Sequence, residues 1–190
     1  NDNTAVGASA LTANTGGAST TGIGSGALSA NTTGASNTAV GAGSLNDNTT
    51  GANNVALGRN TLSLNVTTSS NTAIGHEALK ANTASNNTAV GNAALVANTT
   101  GASNTAMGHS ALAASTTGTE NVAVGMYALD ASGAGTDGSY NVAVGNDALG
   151  ANTEGQFNVG IGRRALYANR VADENTAVGY LALMANTTGD

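Results

Sequence analysis

N-T-A-V-G at residues 37–41 returns as N-T-A-I-G at 71–75, N-T-A-M-G at 104–108, N-V-A-V-G at 121–125 and 141–145, and N-T-A-V-G again at 175–179. Working outward from this phrase, units begin at Asn3, Thr20, Asn37, Asn54, Asn71, Asn87, Asn104, Asn121, Asn141, Asn158 and Asn175. Eight of the ten spacings are 17 residues; the unit from Asn71 has 16 and the unit from Asn121 has 20. The consensus is N-T-A-V-G-x-x-A-L-x-A-N-T-T-G-x-x, and its positions are called slots 1 to 17 below. A fixed period of this size is the signature of a solenoid, in which each repeat cannot bury its apolar face alone and needs its neighbours.

The slots divide into constrained and free ones. Slot 4 is always aliphatic, from Val6 to Val178; slot 5 is always Gly; slot 9 is always Leu, from Leu11 to Leu183. Slots 6, 7 and 10 vary freely, as in Arg59-Asn60, His76-Glu77 and Lys80. Gly interrupts the pattern too often for a helix, whereas N-V-A-V-G alternates as a strand does. The reading is an all-β repeat solenoid, a parallel β-roll of about 11 coils of 17 residues. In each coil a strand at slots 2–4 turns its aliphatic slot 4 inward. A-L-x-A forms a second short strand, and G-x-x and N-T-T-G make the corners. Coils stack at about 4.8 Å, giving a rod roughly 50 Å long. Stacking also lays Asn over Asn at slots 1 and 12, where amide ladders are expected.

Slot 3 is Ala or Gly throughout and is followed by the fixed Gly. This small-residue wall is expected to pack against counterparts on other chains, making the protein a homo-oligomer; the alternative folds the wall inside a flattened coil. The phrases at 71–75, 121–125 and 141–145 resemble the S-V-A-I-G repeats of trimeric autotransporter adhesin heads of the YadA-like type. That resemblance spans essentially the whole chain, although the period here is longer. It implies a left-handed parallel β-roll, a homotrimer, and attachment to host or matrix surfaces from an extracellular or cell-surface position. A phage tail-fibre shaft and a self-assembling extracellular filament are the alternatives. Ice binding, prompted by the Thr arrays, ranks below both. Residues 1–190 read as a single array cut from a longer chain.

Composition narrows the function classes. Lys and Arg number 5 against 11 Asp and Glu, for a net charge of −6, and only 8% of residues are charged. No basic stripe exists to neutralise nucleic-acid phosphates. No apolar run approaches the ~20 residues of a bilayer span, so neither nucleic acid nor membrane insertion of this segment is expected. Without Cys there is no thiolate chemistry. His76 and His109 fall two coils apart, too far to share a Zn²⁺. Asp130, Asp137, Asp147 and Glu154 share a region without spelling a calcium loop. No Ser, His and acid recur in a fixed relation, and no helix follows the Gly-rich phrases to make them a phosphate cradle. The expectation is a protein that is not an enzyme and uses no cofactor or metal.

Specificity is sought where the repeat breaks. The long unit should bulge at A-S-G-A-G-T-D-G-S-Y, 131–140. All five aromatics lie between 127 and 180, with Arg163 and Arg164 among them. Tyr127, Tyr140, Phe157, Arg163, Arg164, Tyr167 and Tyr180 are the candidate surface-binding residues, since aromatics and Arg dominate binding surfaces. Tyr140 and Phe157 occupy one slot in successive coils and should stack. Six N-x-[ST] sequons, at Asn31, Asn48, Asn65, Asn86, Asn98 and Asn186, fall mostly out of the repeated N-T-T.

Overall fold

In the computed structural model, which describes residues 1–131 and 138–189, each unit closes one rung of a parallel β-solenoid of about 10–11 coils with a period near 17 residues. The described residues form eleven strands of three residues each, from β1 (Thr4–Val6) and β2 (Thr21–Ile23) through β6 (Thr88–Val90) and β7 (Thr105–Met107) to β11 (Thr176–Val178). They form one parallel sheet in sequence order. Register is slot over slot: β6 sets Thr88, Ala89 and Val90 against Thr105, Ala106 and Met107 of β7.

Outside the sheet the backbone stays zipped from coil to coil. The slot 9 amide of Leu95 donates to Ala111 O at 3.0 Å and the slot 13 amide of Thr99 to Thr116 O at 2.9 Å, while the slot 7 amide of Ala93 reaches back to His76 O at 2.9 Å. Among the described residues the expected second strand at A-L-x-A is absent. Two local turns replace it, closed by Ala94 N–H to Gly91 O at 3.4 Å and Asn98 N–H to Leu95 O at 3.1 Å. The cause is local: slot 9 lies in the left-handed region, with φ 51 at Leu79, Leu95 and Leu129. A strand cannot pass through such residues. Leu, unbranched at Cβ, suffers less there than Val or Ile would.

The faces of the strand are the reverse of the expected ones. Slot 3 points inward: Ala39, Ala56, Ala73, Ala89, Ala106, Ala123 and Ala143 are all fully buried. Slots 2 and 4 point outward, and Val90 and Val124 are half-buried on the outer face, with Val6 and Val178 exposed in the end coils. The coil is so flat that the apolar part of its interior holds one Leu and, in most rungs, two Ala. A Cβ placed on Gly22 would lie 3.3 Å from Leu11 Cγ, and one on Gly160 would lie 3.3 Å from Leu149 Cγ. Nothing bulkier than Ala fits at slot 3. The small wall is therefore the inner face of the flattened coil, not a contact between chains.

Slot 5 Gly has the same kind of cause. Its φ is +135 at Gly125, and a Cβ there would meet Gly145 O at 2.6 Å. The close approach is between successive rungs of one chain, in a backbone region that L side chains avoid.

The two Asn columns are both buried and differ in wiring. At slot 12 the amides bond each other: Asn48 Nδ2 donates to Asn31 Oδ1 at 2.8 Å and Asn98 Nδ2 to Asn82 Oδ1 at 2.8 Å. At slot 1 they bond backbone: Asn37 Oδ1 accepts the Asn54 amide at 2.9 Å while Asn37 Nδ2 donates to Gly51 O at 2.7 Å. Ladders of this kind satisfy polar groups that the thin interior could not otherwise bury. Where Ser115 replaces Asn at slot 12, Asn98 Oδ1 is left without a partner.

Candidate functional site

Two regions of the surface depart from an ordinary polar exterior. The first is the outer face of the sheet. Across eleven strands, slot 2 carries seven Thr and four Val, and slot 4 carries only Val, Ile, Leu or Met. None of these 22 side chains is charged. Because the strands run in register, the residues form two straight columns about 7 Å apart, along a rod of about 50 Å. Val55, Leu57, Met107 and Ile161 are among the exposed large apolar residues. A band about 10 Å wide over that length covers on the order of 500 Å², at the upper end of apolar patches on monomers.

The second region is the corner formed by slots 6, 7 and 10 from 109 to 184. Slot 7 carries Tyr127, Asp147 and Arg164 on successive coils; slot 10 carries Asp130, Gly150 and Tyr167. Tyr127, Asp130, Asp147, Gly150 and Tyr167 line a cavity of about 350 Å³. The hole exists because Gly150 supplies no side chain between Asp130 and Tyr167. Tyr167 leans over the gap, since a Cβ on Gly150 would lie 3.0 Å from Tyr167 Cε2.

The neighbours hold this arrangement in place. Arg164 Nε donates to Asp147 Oδ2 at 3.2 Å, and the same guanidinium lies 5.1 Å from the centre of the Tyr167 ring. His109 meets Tyr127 edge-on, with ring centres 5.3 Å apart. Asp130 is only 8% exposed. Burial holds its carboxyl above the ordinary Asp value, against the opposing pull of the Ala114 backbone hydrogen bond and of His109.

The seven candidate surface residues divide into three groups rather than one face. Tyr127, Arg164 and Tyr167 gather at the cavity. Arg163 lies 5.9 Å from the centre of the Tyr180 ring, at slot 6 of successive coils. Tyr140 and Phe157 stack as expected, 4.9 Å apart with planes 5° from parallel, at slot 17. Slot 17 precedes the strand, whereas slots 6 to 10 follow it. The bulge expected from 131–140 concerns residues 132–137, which lie outside the described residues.

Asp130 and Asp147 were legible only as loosely grouped acids; the missing side chain at Gly150 was the signal that they frame a cavity. His76 and His109 are exposed. Among the described residues no group of three or more His, Cys, Asp or Glu is placed to hold a metal ion, and no helix is long and apolar enough to cross a membrane. Four of the sequon asparagines, Asn31, Asn48, Asn65 and Asn98, are fully buried in the slot 12 ladder, while Asn86 is exposed. A scan against protein-family models, a search of curated proteins and a search of solved structures each found no match.

Proposed function

We propose that this chain is a structural and adhesive segment of an extracellular fibre, in which three copies pack their outer sheet faces around a common axis. The observation that carries the reading is the uncharged outer face: 15 of its 22 side chains are aliphatic and the other seven are Thr. A face left in water has no reason to exclude charge at every one of 22 positions. One that meets copies of itself does, because each unpaired charge buried there would cost several kcal/mol. Burying each Val or Ile contributes about 1.5–3 kcal/mol, repeated rung after rung. The trimer, rather than a dimer, comes from the resemblance of the N-V-A-V-G phrases to YadA-like adhesin heads. The corner with its tyrosines and arginines remains outside such an assembly and is the attachment surface.

Light scattering tests the reading. Three times 18.1 kDa is the expected mass. The variant Val90→Lys/Val124→Lys is expected to melt cooperatively at 18.1 kDa, since both positions are solvent-facing in one chain. A parent that is monomeric at micromolar concentration sinks the assembly, and a mass that climbs with concentration replaces the trimer by a filament.

A second reading has an observation of its own. The Thr side chains of slot 2 stand outward in register, at Thr72, Thr88 and Thr105 for example. A flat, regular array of hydroxyls and methyls is what recognition of ice requires. Thermal hysteresis by a monomeric protein would favour it over the fibre.

A further inference from the structure

We propose that the cavity between Tyr127 and Tyr167 is a binding site for an organic ammonium group. The site is independent of the assembly proposed above, because its residues sit at the corner slots and not on the sheet face.

A carboxylate as buried as Asp130 is ordinarily found beside a positive charge. Asp130 has none. Among the described residues the ion pairs are Lys80 with Glu77 and Arg164 with Asp147. The six residues at 132–137, Ser-Gly-Ala-Gly-Thr-Asp, carry no basic side chain. Its hydrogen bond comes from the Ala114 backbone. His109 also acts on Asp130, but that ring packs against the edge of Tyr127. Asp147 adds a second carboxylate to the wall, already shared with Arg164. The counter-charge to Asp130 is therefore left for a ligand to supply.

The rest of the wall has the chemistry of a cation site. Tyr rings attract cations to their faces, more strongly where water is excluded. Tyr127 and Tyr167 both contribute to the lining, with Gly150, whose missing side chain leaves room for the Tyr167 ring to lean in. At about 350 Å³ the cavity accepts the end of a lysine side chain or a single amino sugar. The chain's net charge of −6 draws cations toward it. A neutral sugar would find aromatic rings and hydrogen-bond acceptors here too, but it would leave the Asp130 charge uncompensated.

Four probes separate charge from shape: Nα-acetyl-lysine methylamide and its Nε-acetylated, neutral form; glucosamine and N-acetylglucosamine. Titrations followed by shifts of tyrosine ring signals in NMR are run on the parent chain, Asp130→Asn and Gly150→Ala. The proposal expects saturable binding of at least one charged probe, and which one binds tells whether the ammonium belongs to a protein or to a glycan. Asp130→Asn should weaken that binding by about tenfold or more. Gly150→Ala, whose Cβ would lie 3.0 Å from Tyr167 Cε2 and displace that ring from the cavity wall, should weaken it with Asp130 intact. Both variants keep the interior Leu and Ala columns, and an unchanged circular-dichroism spectrum verifies that. Silence from both charged probes, equal binding of charged and neutral members of a pair, or undiminished binding by a folded Asp130→Asn each overturns the site.

Discussion

Ala89 and Val90 are neighbours on one three-residue strand and live under opposite rules. Ala89 has no exposed surface, and the ten other residues of its slot are all Ala or Gly. Val90 is half-buried on the outer face, and its slot accepts Val, Ile, Leu and Met. Tolerance of size is what separates them. An interior one side chain deep must fix volume to the methyl group, because close-packed cores feel single methylenes. An exterior column needs only to stay apolar. On the strand the solenoid thus puts its smallest residue inside and its larger aliphatic outside, while the Leu column of slot 9 supplies the bulk of the interior.

The largest expected effect attacks the one bulky interior column. Leu95→Asp buries a charge with no partner between Leu79 and Leu112, all fully buried. A penalty of several kcal/mol is expected, and the cooperative melt in circular dichroism should vanish. A normal melt would mean that slot 9 is not the core. Next comes a paired test across the strand. Ala89→Leu overpacks a site with no spare volume, at a cost of about 3 kcal/mol. Val90→Leu, on the outer face, should shift the melting temperature little, as Leu57 already stands in that slot. Equal losses in the two variants would break the inside–outside assignment.

Much of this was legible in the sequence. The period gave coil length, parallel stacking and register, because a 17-residue spacing that recurs can only be satisfied by like over like. From stacking alone the buried Asn columns followed, as did the face-to-face pair of Tyr140 and Phe157. The direction of the strand was not legible from alternation. Period two says that Ala89 faces away from Val90, but not which of them faces in. That depends on the width of the coil, and the width was misjudged because A-L-x-A looked like a second strand. The left-handed backbone at Leu95 is what narrows it, and an invariant Leu does not announce its φ. In hindsight the stricter constraint was the better guide: a slot confined to Ala and Gly is more sharply restricted than one confined to aliphatics. The cavity needed lateral proximity of slots 7 and 10, which no linear spacing expresses.

A third test contrasts two sequons, one inside and one outside. Asn48 donates to Asn31 Oδ1 at 2.8 Å and to Gly51 O at 3.0 Å. Asn48→Ala strands those acceptors and should cost about 1–3 kcal/mol in denaturant unfolding. Asn86 is exposed in the shortened corner at 83–86. In a glycosylating host, peptide mass spectrometry should find glycan at Asn86 and none at Asn31, Asn48, Asn65 or Asn98. Occupancy at Asn48 would require the ladder to be open when the chain meets the transferase, before the coils have stacked.

The smallest effect is a gain, and it sets the corner cavity against the regular coils. Burial raises the folded-state pKa of Asp130 above its unfolded value of about 3.9. A raised carboxyl binds its proton more tightly when folded. Its stabilising contribution is therefore complete below the unfolded pKa and is lost as pH rises through the folded one. At neutral pH the charged form is a burden on the fold, which Asp130→Asn removes. The variant should melt a little higher than the parent at pH 7, and the difference should shrink to nothing near pH 3. A variant that melts lower at pH 7 would mean that the Ala114 hydrogen bond outweighs desolvation, and the carboxylate would then already be satisfied by its own chain. If it melts higher and also fails to bind an ammonium probe, the charge is kept at the expense of stability. That is the exchange expected of a binding residue, and no other coil offers it, since slot 10 elsewhere carries no carboxylate.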